Sequence, residues 1–287
     1  MSILVNRQTS VIIHGLTGRY ASLQAAMMKQ YGTLIAAGVA PGRGGESLLE
    51  IPLFDSVAEA LAVSAADTAI VYVPAALVLE TFYEILDNGI KTVFIGTEGV
   101  PVHNGLKIRR LAEENGLWVI GPNSLGAITP GESLLGSMDP AICKPGKLGL
   151  MSRSGTLSLL VMSILNQAGF GFSTAISIGG DLISGRSQAD YLRQFENDPQ
   201  TEQVVMLTEI GGFMEGPAAE QIRVMSKPVF CYIVGWQAPP GKTMGHSGAR
   251  IREDRETAEA KMRVLTQAGA RVVRTPWELP AMLEKTE

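Results

Sequence analysis

The stretch VIIHGLTGRYAS, residues 11–22, joins an apolar, β-branched run to a glycine turn and a more polar segment. The run Val11–Ile13 is typical of a buried strand, and Gly15 and Gly18 permit a tight turn in front of a helix. A helix N-terminus offers free backbone N–H groups to an anion, so this turn is a candidate phosphate site. The stretch predicts the strand–turn–helix unit of an α/β sheet, with a purely structural turn as the alternative.

Apolar runs alternate with helical spacing along the whole chain, which predicts βαβ units and parallel sheets. The strand candidates are SVIIHG, TLIAAGV, TAIVYVP, KTVFIGT and LWVIGP, followed by LGLMS, FSTAISIGG, QVVMLTEIGG, PVFCYIVG and ARVVRT. Between the two groups, residues 126–147 carry prolines and glycines without sustained periodicity and are predicted as an interdomain linker. We therefore expect two α/β domains, residues 1–125 and 148–287, with ligands at the carboxyl ends of the strands.

Composition and charge narrow the function classes. Of 287 residues, 46% are apolar and 18% are charged, which is typical of a folded globular protein. The net charge of −4, without a basic run, argues against nucleic acid as a partner. No membrane partner is expected, because no apolar run is long enough to span a bilayer and the N-terminus has no signal-like core. Two cysteines form no disulfide framework, which favours a reducing compartment and predicts a cytoplasmic protein.

The first domain lacks the features of an NAD site. Its opening turn has no third glycine, and the second strand candidate ends in APGRGG, which supplies Arg43 where such sites have an acidic residue. A cation there suits a ligand with an extra phosphate on its ribose. On these residues alone, NADP and coenzyme A both remain candidate ligands.

Loops of the second domain are candidates for binding an anion. LMSRSGTLSLL passes through Ser152, Ser154, Gly155 and Thr156 into a helix, whose first turn offers hydroxyl and N–H groups to a phosphate. SIGGD follows the next strand candidate, and TEIGG ends a third with Glu209. The serine loop lacks the G-x-S-x-G spacing of a hydrolase nucleophile.

GKTMGHSGA, residues 241–249, surrounds His246 with glycines and small residues. No cysteine or histidine lies close to it in the sequence, so no metal site is predicted in this chain. A neutral imidazole is a good nucleophile near physiological pH, because its unperturbed pKa is about 6.5. From the residues alone, His246 is either such a nucleophile or a solvated loop histidine, and His14 and His103 are interpreted as having no chemical role.

Short motifs in a fixed order run from end to end of the chain: MSILV, AGVAPGRGG, YVPA, TEGVP, IGPNSLGAITPGE, KPGKLGLMSRSGTL, SIGGD, NDPQTE, EIGG and GKTMGHSGA. In this order they resemble the α subunit of the succinyl-CoA synthetase (succinate–CoA ligase) family. The resemblance implies a Rossmann-like CoA-binding domain followed by a flavodoxin-like, doubly wound parallel-sheet domain. It also implies a relay in which phosphate passes from ATP or GTP through a histidine to a carboxylic acid, whose acyl phosphate then reacts with CoA.

The resemblance also implies roles for the candidate residues. His246 would carry the phosphate, Glu209 would bind the other imidazole nitrogen, and the serine loop would stabilise the anion. The CoA contacts would be Gly15, Thr17, Gly18, Arg19, Arg43, Pro74, Thr97, Glu98, Asn123 and Ser124. In this family an ATP-grasp β subunit binds the nucleotide and Mg²⁺, so the chain would act only in an αβ or (αβ)₂ assembly.

Departures from the family pattern leave alternatives open. Ser124 and Leu125 stand where the family commonly has cysteine and proline, near the expected acyl–CoA junction, so malate or another small carboxylic acid is an alternative to succinate. ARIREDRETAEAK, residues 249–261, replaces a glycine-rich stretch and is either a solvated helix start or an altered lid. Outside this class, a non-catalytic CoA-binding regulatory protein and an NADP-dependent oxidoreductase are the competing hypotheses.

Overall fold

Two twisted sheets with intervening helices follow one another along the chain, in a computed structural model that describes residues 3–284. The outermost residues of the predicted domains, 1–2 and 285–287, lie outside the described residues. The apolar side chains of the first sheet alternate between two cores. Val11 and Ile13 belong to one buried cluster and Ile12 to the other, so both faces of this sheet are covered.

The first sheet contains six parallel strands and one short antiparallel edge strand. Its strands are β1 (Ser10–His14), β2 (Leu34–Val39), β3 (Ser47–Leu48), β4 (Ile51–Phe54), β5 (Thr68–Val71), β6 (Thr92–Ile95) and β7 (Trp118–Ile120). The helices are α1 (Arg19–Tyr31), α2 (Val57–Val63), α3 (Val78–Asp87) and α4 (Val102–Glu114). The strand order is β3-β4-β2-β1-β5-β6-β7, with β3 antiparallel to β4.

The second sheet has five parallel strands and an antiparallel hairpin at one edge. Its strands are β8 (Gly126–Thr129), β9 (Ser133–Gly136), β10 (Pro145–Ser152), β11 (Phe172–Ser177), β12 (Gln203–Glu209), β13 (Val229–Val234) and β14 (Arg271–Val273). The helices are α5 (Gly155–Gln167), α6 (Gln188–Asn197), α7 (Glu215–Val224), α8 (Ala258–Gln267) and α9 (Leu279–Glu284). The strand order is β14-β13-β12-β10-β11-β8-β9.

These orders confirm the predicted fold class. When the antiparallel β3 is left out and the other six strands are numbered 1 to 6 along the chain, their order in the first sheet is the 3-2-1-4-5-6 order of Rossmann folds. The five parallel strands of the second follow the flavodoxin-like order 2-1-3-4-5. The order reverses between β1 and β5 in the first sheet and between β10 and β12 in the second. Ligand sites are expected at these two switch points.

The segment 126–147, predicted as a linker, instead carries β8, β9 and the start of β10. β8 pairs with β11, which makes the hairpin the edge of the second sheet. The same hairpin also contacts the first unit, where the Thr33 hydroxyl donates to the Leu134 carbonyl over 2.7 Å. Each strand has only four residues, so no periodicity marks it in the sequence, and its pairing depends on residues far away.

The carboxyl ends of the two sheets are joined by direct contacts. Asp181, in the loop after β11, accepts hydrogen bonds from the backbone N–H groups of Gly99 (3.1 Å) and Val100 (3.0 Å) in the loop after β6. Gly179 adopts a φ of +104° and lies so close to Pro122 that an added Cβ would be 2.0 Å from its carbonyl oxygen. The two switch points are thereby held on the same side of the molecule.

The close approach at Gly179 makes a stability prediction with a matched control. Gly269 has nearly the same φ, +101°, but nothing lies within 4 Å of its Cβ position. Alanine at Gly269 should cost about 1–2 kcal/mol of backbone strain. Alanine at Gly179 should cost roughly 1–3 kcal/mol more, because the methyl group collides with the loop of the other unit. Calorimetric melting should therefore show a larger loss for Gly179→Ala, and equal losses would contradict the close approach.

Candidate functional site

His246 lies on a tight turn between β13 and α8. The turn is closed by backbone hydrogen bonds from Met244 to the Ala249 carbonyl (2.8 Å), from Ala249 to the His246 carbonyl (3.0 Å) and from Gly241 to the Ile251 carbonyl (2.9 Å). These bonds fix the imidazole beside the carboxyl end of the second sheet. Its side chain is 26% exposed, so the ring is partly accessible to solvent.

Glu209, the last residue of β12, holds the imidazole. Its Oε2 lies 2.8 Å from His246 Nδ1, and its Oε1 accepts a hydrogen bond of 3.1 Å from Arg153 Nε. The ring rests on Gly180, where an added Cβ would lie 2.6 Å from His246 Cδ2. The tautomer that donates from Nδ1 to Glu209 leaves the Nε2 lone pair free as a nucleophile.

The buried guanidinium of Arg153 joins four loops at this edge. Besides its bond to the glutamate, Nη1 contacts Met214 Sδ at 2.8 Å, and Nη2 donates to the Asp181 carbonyl at 3.0 Å. The Gly180 carbonyl lies 3.5 Å from Nη2, and an added Cβ at Gly248 would lie 2.7 Å from it. Arg153 is 6% exposed, so its charge faces protein groups rather than water.

A second buried cation supports the backbone on which Glu209 stands. Lys261 Nζ donates to the carbonyls of Glu209 and Gly211, each over 2.7 Å, and forms an ion pair of 2.8 Å with Glu215. Lys261 and Glu215 are each only 1% exposed. A buried ion pair adds little net stability, but removal of one member leaves an unpaired charge. The pair therefore fixes the end of β12 in one geometry.

The surroundings of His246 change its pKa. The hydrogen bond to Glu209 raises the pKa of the imidazole above its ordinary value, while partial burial and the positive charge of Arg153 oppose the rise. The charge of Glu98, in the loop after β6, favours the imidazolium as well. The His246–Glu209 bond thus stabilises the fold below the ordinary imidazole pKa, and this contribution is lost as the pH rises through the raised pKa.

The serine loop forms the N-terminus of α5 at the same edge. Ser154 is the N-cap, and its Oγ accepts a hydrogen bond of 3.3 Å from the Leu157 N–H. Ser152 Oγ accepts from the Ser154 N–H over 3.1 Å and donates to its carbonyl over 2.8 Å, so this buried hydroxyl shapes the loop. The N–H groups of Gly155 and Thr156 have no acceptor within the helix, because they belong to its first turn. They are the groups that the loop offers to an anion.

A groove runs from the first switch point to the histidine. Two cavities of about 580 and 620 Å³ share Gly15, Thr17 and Val73 at the ends of β1 and β5. A third cavity of about 260 Å³ shares Glu98 with the second and is also lined by Ser247, the neighbour of His246. The groove brings together eight of the predicted CoA contacts: Gly15, Thr17, Gly18, Arg19, Arg43, Pro74, Thr97 and Glu98.

The groove has binding groups for phosphates at its first switch point. Helix α1 begins after Gly18, which has no side chain to cap it, so the first-turn N–H groups are free to bind a phosphate. Arg19 lines the same cavity. Arg43 lies at the far end, where its guanidinium pairs with Glu46 and is about half exposed. Glu46 raises the pKa of Arg43, and a bound phosphate would compete with this carboxylate.

Asn123 and Ser124 lie between the two sheets rather than along the groove. The Asn123 carbonyl accepts a hydrogen bond of 3.0 Å from the Gly180 N–H, beneath the imidazole. Ser124 is buried, and its hydroxyl donates to the Ser177 carbonyl (2.5 Å) and accepts from the Gly126 N–H (2.8 Å). The Ser124 hydroxyl therefore bonds backbone groups of this chain, whereas the family resemblance implies that it contacts CoA near the acyl–CoA junction.

Sequence reasoning missed two buried charges that hold the site, Arg153 and Lys261, and gave no role to Asp181 of the SIGGD loop. Lys261 ends the stretch 249–261, which the sequence presents as a solvated helix start, yet this lysine is fully enclosed. His14 was also missed. It lines the groove, is 3% exposed, and burial lowers its pKa to about 4. No local pattern separates these residues from solvated ones, because their partners lie in other loops.

The described part of the chain lacks two features. Between residues 3 and 284, no three His, Cys, Asp or Glu side chains gather into a group that could hold a metal ion. No helix in the same range is long and apolar enough to cross a bilayer.

Two protein families match the two halves of the chain. Residues 6–99 match the CoA binding domain and residues 151–271 match the CoA-ligase family. The chain is 45% identical over 283 residues to the succinate–CoA ligase [ADP-forming] subunit alpha 2 of Archaeoglobus fulgidus, covering 99% of both chains. It is 43% identical to the succinate–CoA ligase [ADP-forming] subunit alpha of Aquifex aeolicus, over 99% of this chain and 94% of that one.

Among solved structures, an ATP citrate lyase from Methanosaeta concilii in complex with (3S)-citryl-CoA superposes with a TM-score of 0.89. The two sequences are 24% identical, and the match covers 99% of this chain. The chain spans about half the length of that lyase, since the match covers 50% of it. This similarity supports the fold alone.

The contact between Glu209 and His246 makes a pH prediction. In Glu209→Gln the neutral amide no longer stabilises the imidazolium, so the pKa of His246 should fall relative to the wild type. Titration of ¹⁵N-labelled histidine by NMR measures this shift, with the exposed His103 as the internal reference. An unchanged His246 titration would contradict the direct hydrogen bond.

Proposed function

The chain belongs to the family of succinate–CoA ligase α subunits, and we propose that it joins a small carboxylic acid to coenzyme A through a phosphate carried on His246. The observation that carries this proposal is the 2.8 Å contact between His246 Nδ1 and Glu209. It leaves the Nε2 lone pair unused by Glu209, at an edge that also carries the first turn of α5. A nucleophile, a group that orients it and an anion site therefore lie together.

The proposed first step is the phosphorylation of His246. Neutral Nε2 attacks the terminal phosphorus of a nucleoside triphosphate, the bond from that phosphorus to the bridging oxygen breaks, and the nucleoside diphosphate leaves. The Nδ1 proton stays in its hydrogen bond with Glu209, which stabilises the positive charge that develops on the ring. In this proposal the first-turn N–H groups of Gly155 and Thr156 bind the phosphate oxygens.

The proposed second half consumes this phosphate. A carboxylate oxygen of the acid attacks the phosphorus, the N–P bond breaks, and the imidazole returns to its neutral form. The resulting acyl phosphate is cleaved at its acyl carbon by the CoA thiol, with release of inorganic phosphate. The groove from Arg43 to Ser247 would hold the CoA, with its phosphates at α1 and its thiol end near Glu98. Glu98 lines both of the last two cavities and so marks their junction.

Succinate is the acid in the names of the similar chains, and it is the substrate we propose. Malate or another small acid remains the second candidate, because Leu125 lies at the start of the phosphate-binding helix. An added Cβ on Gly155 would be 2.3 Å from Leu125 Cγ, so this side chain lies against the first residue of α5. A larger or smaller residue there would change the space beside the phosphate.

The reaction requires a second chain. The sequence contains no G-x-x-x-x-G-K-[ST] nucleotide loop, and both of its α/β units are used by the groove and the histidine site. We therefore propose an ATP-grasp β subunit that binds ATP or GTP with Mg²⁺, in an αβ or (αβ)₂ assembly. A cytoplasmic location fits the two cysteines, Cys143 and Cys231, which are both buried free thiols. A non-catalytic CoA-binding role would need neither the histidine nor its orienting glutamate.

The decisive test concerns His246. The chain is expressed with the ATP-grasp chain of its organism and exposed to ATP or GTP labelled in the terminal phosphate. Acid-labile label should appear on the wild type and on His103→Gln, and it should be discharged by succinate together with CoA. His246→Gln should take up no label and form no thioester. Label on the His246 variant, or thioester formation by it at the wild-type rate, would overturn the proposal.

Arg43 provides a separate test of the groove. Arg43→Ala removes a cation at its nucleotide end, so the KM for CoA should rise about tenfold or more while the phosphorylation of His246 is unchanged. Arg110→Ala is the matched control, because Arg110 is 69% exposed and pairs with Glu114 on the surface of α4. Equal effects of the two substitutions on the KM would exclude a role for Arg43 in binding CoA.

A further inference from the structure

Arg153 lies in the serine loop between Ser152 and Ser154, yet its side chain does not extend into solvent. It turns inward, is 6% exposed, and bonds Glu209 through Nε. An arginine in a phosphate loop would bind the anion directly if its guanidinium reached the open side of the site. Here the guanidinium instead contacts groups of the protein: Glu209, Met214 and the Asp181 carbonyl.

The two oxygens of Glu209 have different partners. Arg153 Nε fixes Oε1 at 3.1 Å, and Oε2 faces His246 Nδ1 at 2.8 Å. Because both oxygens belong to one planar carboxylate, fixing one of them sets the direction of the other. The same guanidinium binds the carbonyl of Asp181, next to Gly180 on which the imidazole rests. Arg153 therefore constrains both the hydrogen-bond partner of the ring and the surface beneath it.

We propose that Arg153 is a positioning residue for phosphoryl transfer: it orients Glu209 so that Glu209 binds Nδ1 of His246 and Nε2 remains the attacking atom. This inference rests on the proposed function, because it assigns a task to Arg153 only in the phosphorylation of His246. Arg153 touches neither the imidazole nor the transferred phosphate in this role. It acts through Glu209 and through the loop of Gly180.

The charges around His246 agree with this role. Glu209 from β12 and Glu98 from the loop after β6 favour the imidazolium, while Arg153 from the loop after β10 opposes it. Asp181, from the loop after β11, uses its carboxylate to bind backbone N–H groups of the first unit. The hydrogen bond from Nδ1 to Glu209 is the largest cause of the raised pKa, so a Glu209 that loses its orientation stabilises the imidazolium less. It also no longer holds the proton on Nδ1, and the ring can then carry its proton on Nε2, where no lone pair is left to attack.

Three variants of the full α chain separate positioning from simple structural support. Arg153→Met removes the charge and the hydrogen bonds, and Arg153→Lys keeps the charge but loses the planar fork. Arg186→Met is the control: Arg186 also donates to a buried backbone carbonyl, that of Leu117 at 2.6 Å, and stacks on Trp118, but its partners lie outside the histidine site. Circular dichroism establishes that each variant is folded.

The first measurement is the rate of His246 phosphorylation as a function of pH, in complex with the ATP-grasp chain. Arg153→Met should lower the rate at neutral pH by about 10–100-fold, the effect typical of losing a partner that orients a reacting group. Arg153→Lys keeps the charge but not the bonds that orient Glu209, so it should lower the rate too and move the midpoint of the pH profile to lower pH. Arg186→Met should keep the wild-type midpoint.

The second measurement is the NMR titration of His246 in the α chain alone, which needs no activity. Its midpoint should move to lower pH in Arg153→Lys, because the charge is kept while the hydrogen bond from His246 to Glu209 is weakened. A wild-type midpoint in Arg153→Lys, with or without a lower rate, would show that Arg153 does not orient Glu209 and would overturn the inference. The same variant decides if Arg153→Met does not fold. Failure of the wild type to phosphorylate at His246 would instead refute the proposed function.

Discussion

The site depends on the docking of two loops from different sheets. Gly179 approaches the Pro122 carbonyl more closely than any side chain permits, and Asp181 binds the N–H groups of Gly99 and Val100. Because both loops lie at the carboxyl ends of their sheets, this contact sets the two switch points side by side. The groove of the first sheet then ends beside His246 of the second. A reaction that needs a CoA ligand and a phosphate carrier in one place requires this arrangement.

At the second switch point, buried charges orient the groups of the site. Arg153 and Glu209 form an ion pair from neighbouring loops, and Lys261 pairs with Glu215 beneath it. Pairs of this kind contribute little net stability, since the desolvation of both charges offsets their attraction. What they provide is direction, because Arg153 fixes one oxygen of Glu209 while the other oxygen faces His246 Nδ1. In the proposed reaction, a partner held in this way needs little reorganisation when charge develops on the ring.

The hairpin of β8 and β9 shows which strands local sequence patterns predict and which they do not. Ten of the eleven parallel strands were predicted from continuous apolar runs, which are typical of strands buried on both faces of a sheet. The eleventh, β4 (Ile51–Phe54), was missed because its four residues include a proline and form only a short apolar run. The segment 126–147 carried the opposite signal, since prolines and glycines interrupt two strands of four residues each. Those strands exist because β11 and α1 lie beside them. Their structure is a property of the assembled fold.

The sequence by itself determined the α/β class, the positions of most strands, and the residues that meet at the site, His246, Glu209 and the serine loop, because short motifs and periodicity are local. Only the tertiary structure decided that Arg153 and Lys261 face inward, that the Ser124 hydroxyl binds backbone groups, and that His14 lines the groove. A sequence does not distinguish a charged or polar side chain that contacts water from one that contacts another protein group. Its partner comes from a distant loop, so its role is settled when the two sheets meet.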